Sequence, residues 1–426
     1  MPDHKSPFPA GQYGGLEFSM AENPAFDPMP VPTPTLSTGL VLLFAVACAF
    51  SVANVYYAQP LLDALAQDFG FSQASVGIVI TATQVGCALA LLLVVPLGDL
   101  MNRRSLIVAQ LCLLCAALAA VGLASSPAAL LAGMLGTGLL GTAMTQGLIA
   151  YAASAAAPSE RGRVVGAAQG GVVIGLLLAR TVAGFLADWS GWRAVYFASA
   201  AAALLMLLVL WRVLPVQAAP AQRLSYFRLI ASMFAMLATE RVLQIRGLLA
   251  MLMFAAFSIF WTALVLPLSA APYSFSHSAI GAFGLVGVLG ALAASRAGRW
   301  ADRGHGQRTT GAALTLLLLA WLALWFMPYS LWALVLGIVL LDMGGQAIHV
   351  TNQSMIFQTQ PTAHSRLVAC YMLFYTVGSG AGAILSTCMY AAAGWNGVCL
   401  LGAIVSLLAL TFWRLTLPCV KRSLSE

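Results

Sequence analysis

The feature that most constrains this chain is a succession of long apolar runs almost free of charge. Each is about 20 residues or more, the length a helix needs to cross a hydrocarbon core of about 30 Å. They fall at about 37–59, 74–97, 105–125, 128–153, 164–187 and 193–214, then at 245–270, 278–298, 309–327, 330–354, 366–391 and 395–417. No strand-like alternation runs through them, so helices rather than a barrel satisfy the backbone in lipid. Hydrophobic residues make up 61% of the 426 positions and charged residues 8%, too little charge to cover a water-exposed surface of this size. The reading is an all-α membrane protein with twelve transmembrane helices in two six-helix bundles.

The bundles read as repeats. Asp99 and Asp302 lie 302 − 99 = 203 residues apart. The same offset relates Pro158 to Pro361, Arg163 to Arg366, Gly175 to Gly378, Gly191-Trp192 to Gly394-Trp395 and Pro215 to Pro418. Helix-end landmarks at one ungapped offset imply a duplicated six-helix unit, with a binding site at the interface of the halves near the bilayer midplane. The expected domains are a Pro-rich disordered tail at 1–35, a bundle at 36–214, a linker at 215–244, a second bundle at 245–417 and a short tail at 418–426. Eight prolines in the first 35 residues carry the tail reading, and no basic n-region with a short apolar core marks a signal peptide. Within the linker, Leu224, Phe227, Ala231 and Phe234 recur at helical spacing, which predicts a short helix lying on one membrane face.

Charge placement sets orientation. With the N-terminus inside, 18 of the 20 Lys and Arg residues, Arg246 among them, fall in inside segments; Arg193 is outside and Arg180 is within a span. This positive-inside bias predicts that both termini are cytoplasmic. The net charge of +7 is scattered singly and in pairs, a topology signal rather than a nucleic-acid surface. Cys112 and Cys115 share a CxxC spacing inside an apolar span with no second pair, which reads as small buried hydrophobes rather than a zinc or redox site. No metal or cofactor is expected.

Gly298-Arg299-Trp300-Ala301-Asp302-Arg303-Gly304 resembles the loop signature of the major facilitator superfamily, and Gly98-Asp99-Leu100-Met101-Asn102-Arg103-Arg104 is its counterpart after the second span. The resemblance covers about 36 to 418 and implies that superfamily's fold. Asn54 through Leu62, Leu178 through Gly184, Phe260-Trp261-Thr262 and Asp342 through Gln353 resemble bacterial drug/proton-antiporter-like members of unassigned substrate. Met134 stands where such antiporters often carry an Arg in the fourth span, and Gly175-Leu176 where they often carry Gly-Pro in the fifth. Asp99, Arg103, Arg104, Asp302 and Arg303 are candidates for a conformational latch, with Asp302 facing Arg303 and Asp99 facing Arg103 or Arg161, since a turn at a helix end can hold one state by ion pairs. Topology charge alone is the other reading of these residues.

Charges inside a span are costly in lipid, so Asp342 and Arg180 are functional candidates by default. Asp342, Gln346, His349 and Gln353 lie within about 60° on one helical face. Asp342 and His349 are candidates for proton exchange as water access alternates; a packed polar cluster is the competing reading. Arg180 reads equally as an anion contact or as an ion-pair partner of Asp188 or Asp63. Gln346 and Gln353 on that face are candidate substrate-cavity residues, as is Arg180; Gln146, at the repeat position of His349, joins Asn54, Tyr57, Gln84 and Trp261 as further candidates, each equally readable as helix–helix contact. Gly281, Gly284, Gly287 and Gly290, spaced by three, predict a close-packing ridge.

The resulting expectation is a secondary transporter of a small organic solute in a bacterial inner membrane, working as a monomer by alternating access. Proton-coupled efflux by antiport is the first mode and import by symport the alternative. No Gly-x-x-x-x-Gly-Lys-Ser/Thr loop points to nucleotide hydrolysis. The five dispersed His give no acid–base or metal constellation for a membrane enzyme, and the tails are too short for a sensor's output domain.

Overall fold

A computed structural model describes residues 36–157, 159–215, 225–357 and 364–423, with backbone alone at 291–295, 301–302, 364–365 and 418–423. The 1–35 tail, residues 216–224 of the linker and the Asp302 side chain therefore lie outside the described parts. The first half comprises α1 (Thr38–Tyr56), α2 (Leu62–Phe69), α3 (Ile78–Leu89), α4 (Arg103–Gly122), α5 (Pro127–Ala155), α6 (Arg161–Ser190) and α7 (Trp192–Val213). The linker helix is α8 (Tyr226–Thr239). The second half comprises α9 (Arg241–Ala263), α10 (Val265–Ser269), α11 (His277–Val286), α12 (Val288–Trp300), α13 (Gly306–Trp325), α14 (Leu331–Phe357) and α15 (His364–Ser423).

Ten helical stretches among the described residues have the length and apolarity to cross a bilayer. The last of them, 366–417, holds the expected eleventh and twelfth spans, which turn at Gly394 (φ 62°). The shorter pair α11 and α12 supplies the eighth. Twelve crossings result, as expected. Local chemistry sets several starts: the side chains of Ser37, Asn102, Ser126 and Ser276 accept from backbone N–H groups of the first turn, and Pro127 occupies a first-turn position where no N–H is needed.

The duplication is visible in backbone detail. Gly191 (φ 80°) and Gly394 (φ 62°), 203 residues apart, both take a left-handed turn that other residues avoid. A Trp follows each: Trp192 Nε1 donates to Asp68 and Trp395 Nε1 to the Leu324 carbonyl, both at 2.8 Å. Gly175 lets α6 press on the backbone of α1 at Ala49, and Gly378 lets α15 press on α9 at Met251. The halves meet along two seams. In one, α6 packs on α11, with Thr181 donating to the Gly281 carbonyl at 3.0 Å. In the other, α3 packs on α15, with Thr81 donating to the Gly380 carbonyl at 2.8 Å and Thr387 to that of Ala74 at 2.9 Å.

Three local readings need correction. In α8 the buried side chains are Leu229, Met233 and Met236, while Phe227 and Phe234 are exposed at 80% and 56%; the helix is apolar on two sides, and the aromatic side faces outward. Cys112 is exposed, and only Cys115 turns inward, its thiol donating to the Ala200 carbonyl; a crossing helix buries nothing on its lipid face. Arg246, counted with the inside topology charges, is fully buried.

Candidate functional site

Where the halves meet, a cavity of about 40 Å³ is walled by Tyr56 at the end of α1 and Gln59 after it, Gln84 of α3, Leu176 of α6, Met253, Phe254, Phe257 and Ser258 of α9, Gly345, Gln346 and His349 of α14, and Tyr375 and Ser379 of α15. Both halves contribute. The lining is aromatic with a few polar groups, the usual character of a small-molecule pocket. The Tyr56 and Tyr375 hydroxyls touch across the two halves. Phe254 presents its ring edge-to-face to both Tyr375 and His349. His349 Nδ1 lies 3.1 Å from the Tyr371 hydroxyl, and the Gln84 side-chain oxygen is buried without a partner.

Gln59 also lines a second, water-sized cavity of about 10 Å³ with Arg180, Trp261, Leu264, Val265 and Ile280. Here Arg180 is 3% exposed. Its Nε donates to Gln59 Oε1 at 2.8 Å, and its guanidinium carbon lies 4.0 Å from the Trp261 ring centroid and 5.5 Å from that of Tyr56. One guanidinium nitrogen, Nη2, has no partner. Asp188 and Asp63, candidate partners from the sequence, are engaged elsewhere, so the local ion-pair reading of Arg180 is replaced by a stack on aromatic faces.

The glycine ridge explains how Asp342 comes close. Gly281 meets the Arg180 backbone, Gly284 lies under the Arg180 side chain, and Gly287 and Gly290 lie under Asp342. Missing side chains at four positions one turn apart thus bring α6 and α14 onto the same stripe of α11–α12. Asp342 is 4% exposed, and its Oδ1 has no hydrogen-bond partner. Its electrostatic neighbours are Arg180 and Trp261, and the Trp261 indole N–H approaches without completing a hydrogen bond. Three buried polar atoms, one each from Arg180, Trp261 and Asp342, are left unpaired in one place.

The remaining candidates divide. Gln346 and His349 line the main cavity, Asp342 stands about one turn along α14 from it, and Gln353 is half-buried outside the lining. Gln84 is a wall residue. Asn54 bridges helices instead, donating to the Phe50 carbonyl at 2.8 Å and accepting from Ser199 at 2.6 Å. Tyr57 packs in the core, and Gln146 is half-buried away from both cavities. On the arginine-rich face Asp99 pairs with Arg103 at 3.3 Å rather than with Arg161. Arg103 also donates to the Gly98 and Ala150 carbonyls, and Arg104 to that of Trp211; Arg303 is exposed.

Sequence reasoning missed Tyr56, Gln59 and Tyr375, which are uncharged and give no periodic signal. It also missed two clusters. Arg246 donates to Thr310 at 2.9 Å and Asn352 at 3.3 Å inside the second half. On the arginine-poor face, His277 lies between Asp63 (Nε2 to Oδ1, 3.0 Å) and Asp188 (Nδ1 to Oδ1, 3.1 Å), and Asp188 also accepts from the backbone N–H of His277 and Ser278. This joins the two halves beyond the smaller cavity.

Comparison with known proteins is consistent with this architecture. The chain matches the Major Facilitator Superfamily over residues 41–296 and 246–425. It is 43% identical over 385 residues to the Escherichia coli O157:H7 protein named "Uncharacterized transporter YgaY", covering 90% of this chain and 97% of that one. Among solved structures it resembles a bacterial homologue of the human lysosomal transporter Spinster, in an inward-facing and occupied conformation (TM-score 0.74, 14% identity, 90% of this chain and 96% of that one). It also resembles the nucleoside transporter NupG (TM-score 0.69, 14% identity, 89% and 99%). At such identities the likeness concerns the fold alone. A multi-pass helical protein with its cavity between duplicated halves and a family match spanning both, this chain belongs to the Major Facilitator Superfamily and is one of its transporters.

Proposed function

We propose that the chain is a proton-coupled secondary transporter of a small organic solute in a bacterial inner membrane. One chain supplies both halves and alternates access to the cavity between them. The observation that carries the coupling is the Asp342 carboxyl group, buried to 4% exposure with an unpartnered oxygen at the junction of the halves. An intramembrane carboxyl in that position exchanges a proton when water reaches it from either side. His349, on the cavity wall, is the second candidate carrier. Asp99 with Arg103 is read as a latch on the cytoplasmic face, and 36–214 and 245–417 as the two moving bodies.

Efflux by antiport is the mode implied by the subfamily resemblance. It requires proton and substrate to compete. Import by symport has a specific observation in its favour: Arg180 and Asp342 sit over successive glycines of one stripe and act on each other through their charges, so neutralising the carboxyl leaves a net positive site rather than an empty acidic one. That arrangement favours proton and solute binding together over their competing, and symport becomes the preferred mode.

The test uses purified protein in liposomes with an imposed pH gradient and a panel of drugs, sugars, nucleosides and organic acids. Substrate-dependent proton flux is expected in the wild type and is lost in Asp342→Asn. Equal flux in the two proteins would remove Asp342 from the coupling.

A further inference from the structure

We propose that Arg180, Gln59 and Trp261 form a subsite for a carboxylate group of the transported solute, for which Asp342 is the internal competitor. The inference rests on the transporter reading above and names its substrate class as small organic anions.

The second cavity is a built site. Arg180 is more than nine-tenths buried, and its guanidinium is fixed from three directions: Gln59 accepts from Nε, the Trp261 ring covers one face, and Tyr56 flanks it. What remains is the Nη2 edge, which has no partner. The Trp261 indole N–H is unpaired beside it. Both unpaired donors, one of them charged, belong to residues that line a pocket of about 10 Å³, the room of one water, whose other walls are Gln59, Pro60, Leu264, Val265 and Ile280. An apolar wall with convergent donors selects an anion with an apolar body. Buried donors in such a place find water or a ligand, and a planar guanidinium suits a carboxylate. Gln59 borders the larger cavity too, so a carboxylate at Arg180 can carry an aromatic or aliphatic body into the adjoining space.

The charge balance decides against a cation. Asp342 and Arg180 sit over successive glycines of one stripe and act on each other through their charges, without an ion pair between them. The hydroxyls of Tyr56 and Tyr375 also act on Arg180, His349 lines the adjoining cavity, and the carboxylates of Asp63 and Asp188 are held by His277. A cation entering here meets a fixed guanidinium whose charge opposes it. An anion instead takes over the guanidinium, leaving the Asp342 carboxylate uncompensated in a buried place, and it then binds a proton. The solute carboxylate and one proton enter together: no bond to carbon forms or breaks, and the proton moves from solvent to an Asp342 oxygen. Because linkage is reciprocal, a neutral residue at 342 strengthens anion binding while abolishing the proton uptake.

The experiment compares matched pairs, benzoate with benzamide and 2-naphthoate with 2-naphthamide, added to purified wild-type protein in detergent. Binding is read by calorimetry and thermal stabilisation, and proton uptake by an indicator dye in weak buffer. The carboxylates are expected to bind and the amides not. Carboxylate affinity should fall by about tenfold or more in Arg180→Gln, the scale of a charge-assisted hydrogen bond. It should recover in part in Arg180→Lys and weaken in Gln59→Leu. Monodisperse elution of each variant separates lost binding from lost folding. Asp342→Asn should bind the carboxylates at least as tightly as wild type with no proton uptake. Equal binding of acid and amide, absence of carboxylate binding across the panel, or unchanged affinity in folded Arg180→Gln would each overturn the subsite. Proton-coupled flux of a non-anionic solute that survives Arg180→Gln would overturn it too, while leaving the transport reading intact; loss of coupling at Asp342 is scored separately by the liposome assay.

Discussion

At Gly287 an added Cβ would strike the Asp342 carboxylate, the movable end of a side chain, whereas at Gly281 it would strike the Arg180 backbone. The two glycines belong to one stripe, yet alanine should act differently at each. Gly281→Ala forces α6 and α11 apart and is expected to lower the thermal stability of the purified protein, by about 1–3 kcal/mol as overpacking does. Gly287→Ala should fold but displace the carboxylate, changing proton coupling more than stability. Thermal unfolding beside liposome proton flux checks the pair; equal effects on both readouts would break the distinction. The stripe itself was legible from its spacing of three, but its partners on α6 and α14 were not, since they are brought in by tertiary packing. The same limit applies at the site. Asp342, His349 and Arg180 stood out because charged and imidazole side chains are rare in apolar spans. Gln59, Tyr56 and Tyr375 did not, because an isolated amide or phenol in a span is as often packing as function. Arg246 was misplaced for a different reason: lying at a helix end, it counted as a topology charge, and its burial among Thr310 and Asn352 exists only in the folded bundle.

Among elements, the α6–α11 seam carries a contact sensitive to pH. His277 begins α11 ahead of the apolar run, and its hydrogen bond to Asp63 raises its pKa above 6.5 against the opposing effect of burial, with Asp188 adding to the rise. A raised folded pKa means that the stabilisation from charged His277 is fully present below about pH 6.5 and is lost as pH climbs through the folded value. The arginine-poor end of the seam should therefore separate more readily at alkaline pH. Spin labels at Trp189 and Ala271, in protein with Cys112 and Cys388 replaced by serine, are expected to show a longer-distance population growing with pH. His277→Gln should abolish that dependence; a distance distribution indifferent to pH in the unsubstituted His277 protein would contradict it. This latch could not be read from the chain, because its carboxylates lie 214 and 89 residues from the histidine. The linker helix shows the complementary limit: its existence followed from periodicity, but with apolar residues on two sides, which side packs inward is decided by the bundle.

For the whole molecule, most of the architecture was legible, because bilayer thickness fixes span length and the 203-residue repeat fixes the pairing of halves. The merging of the last two spans through Gly394 and the division of the eighth into α11 and α12 are adjustments within that plan. The proposed orientation rests on charge placement and is directly testable. In intact cells a membrane-impermeant maleimide should label Ser72→Cys, in an exposed turn of the arginine-poor face, and should reach Arg308→Cys, exposed on the opposite face, only after permeabilisation. The reversed pattern would invert the topology. Coupling of solute to protons through Asp342 is decided by one comparison: equilibrium exchange of labelled solute against gradient-driven accumulation, in liposomes containing Asp342→Asn. Exchange returns the carrier loaded and needs no net proton movement, whereas accumulation does. The variant is expected to keep exchange and lose accumulation. Accumulation at the wild-type level in the same variant would contradict it.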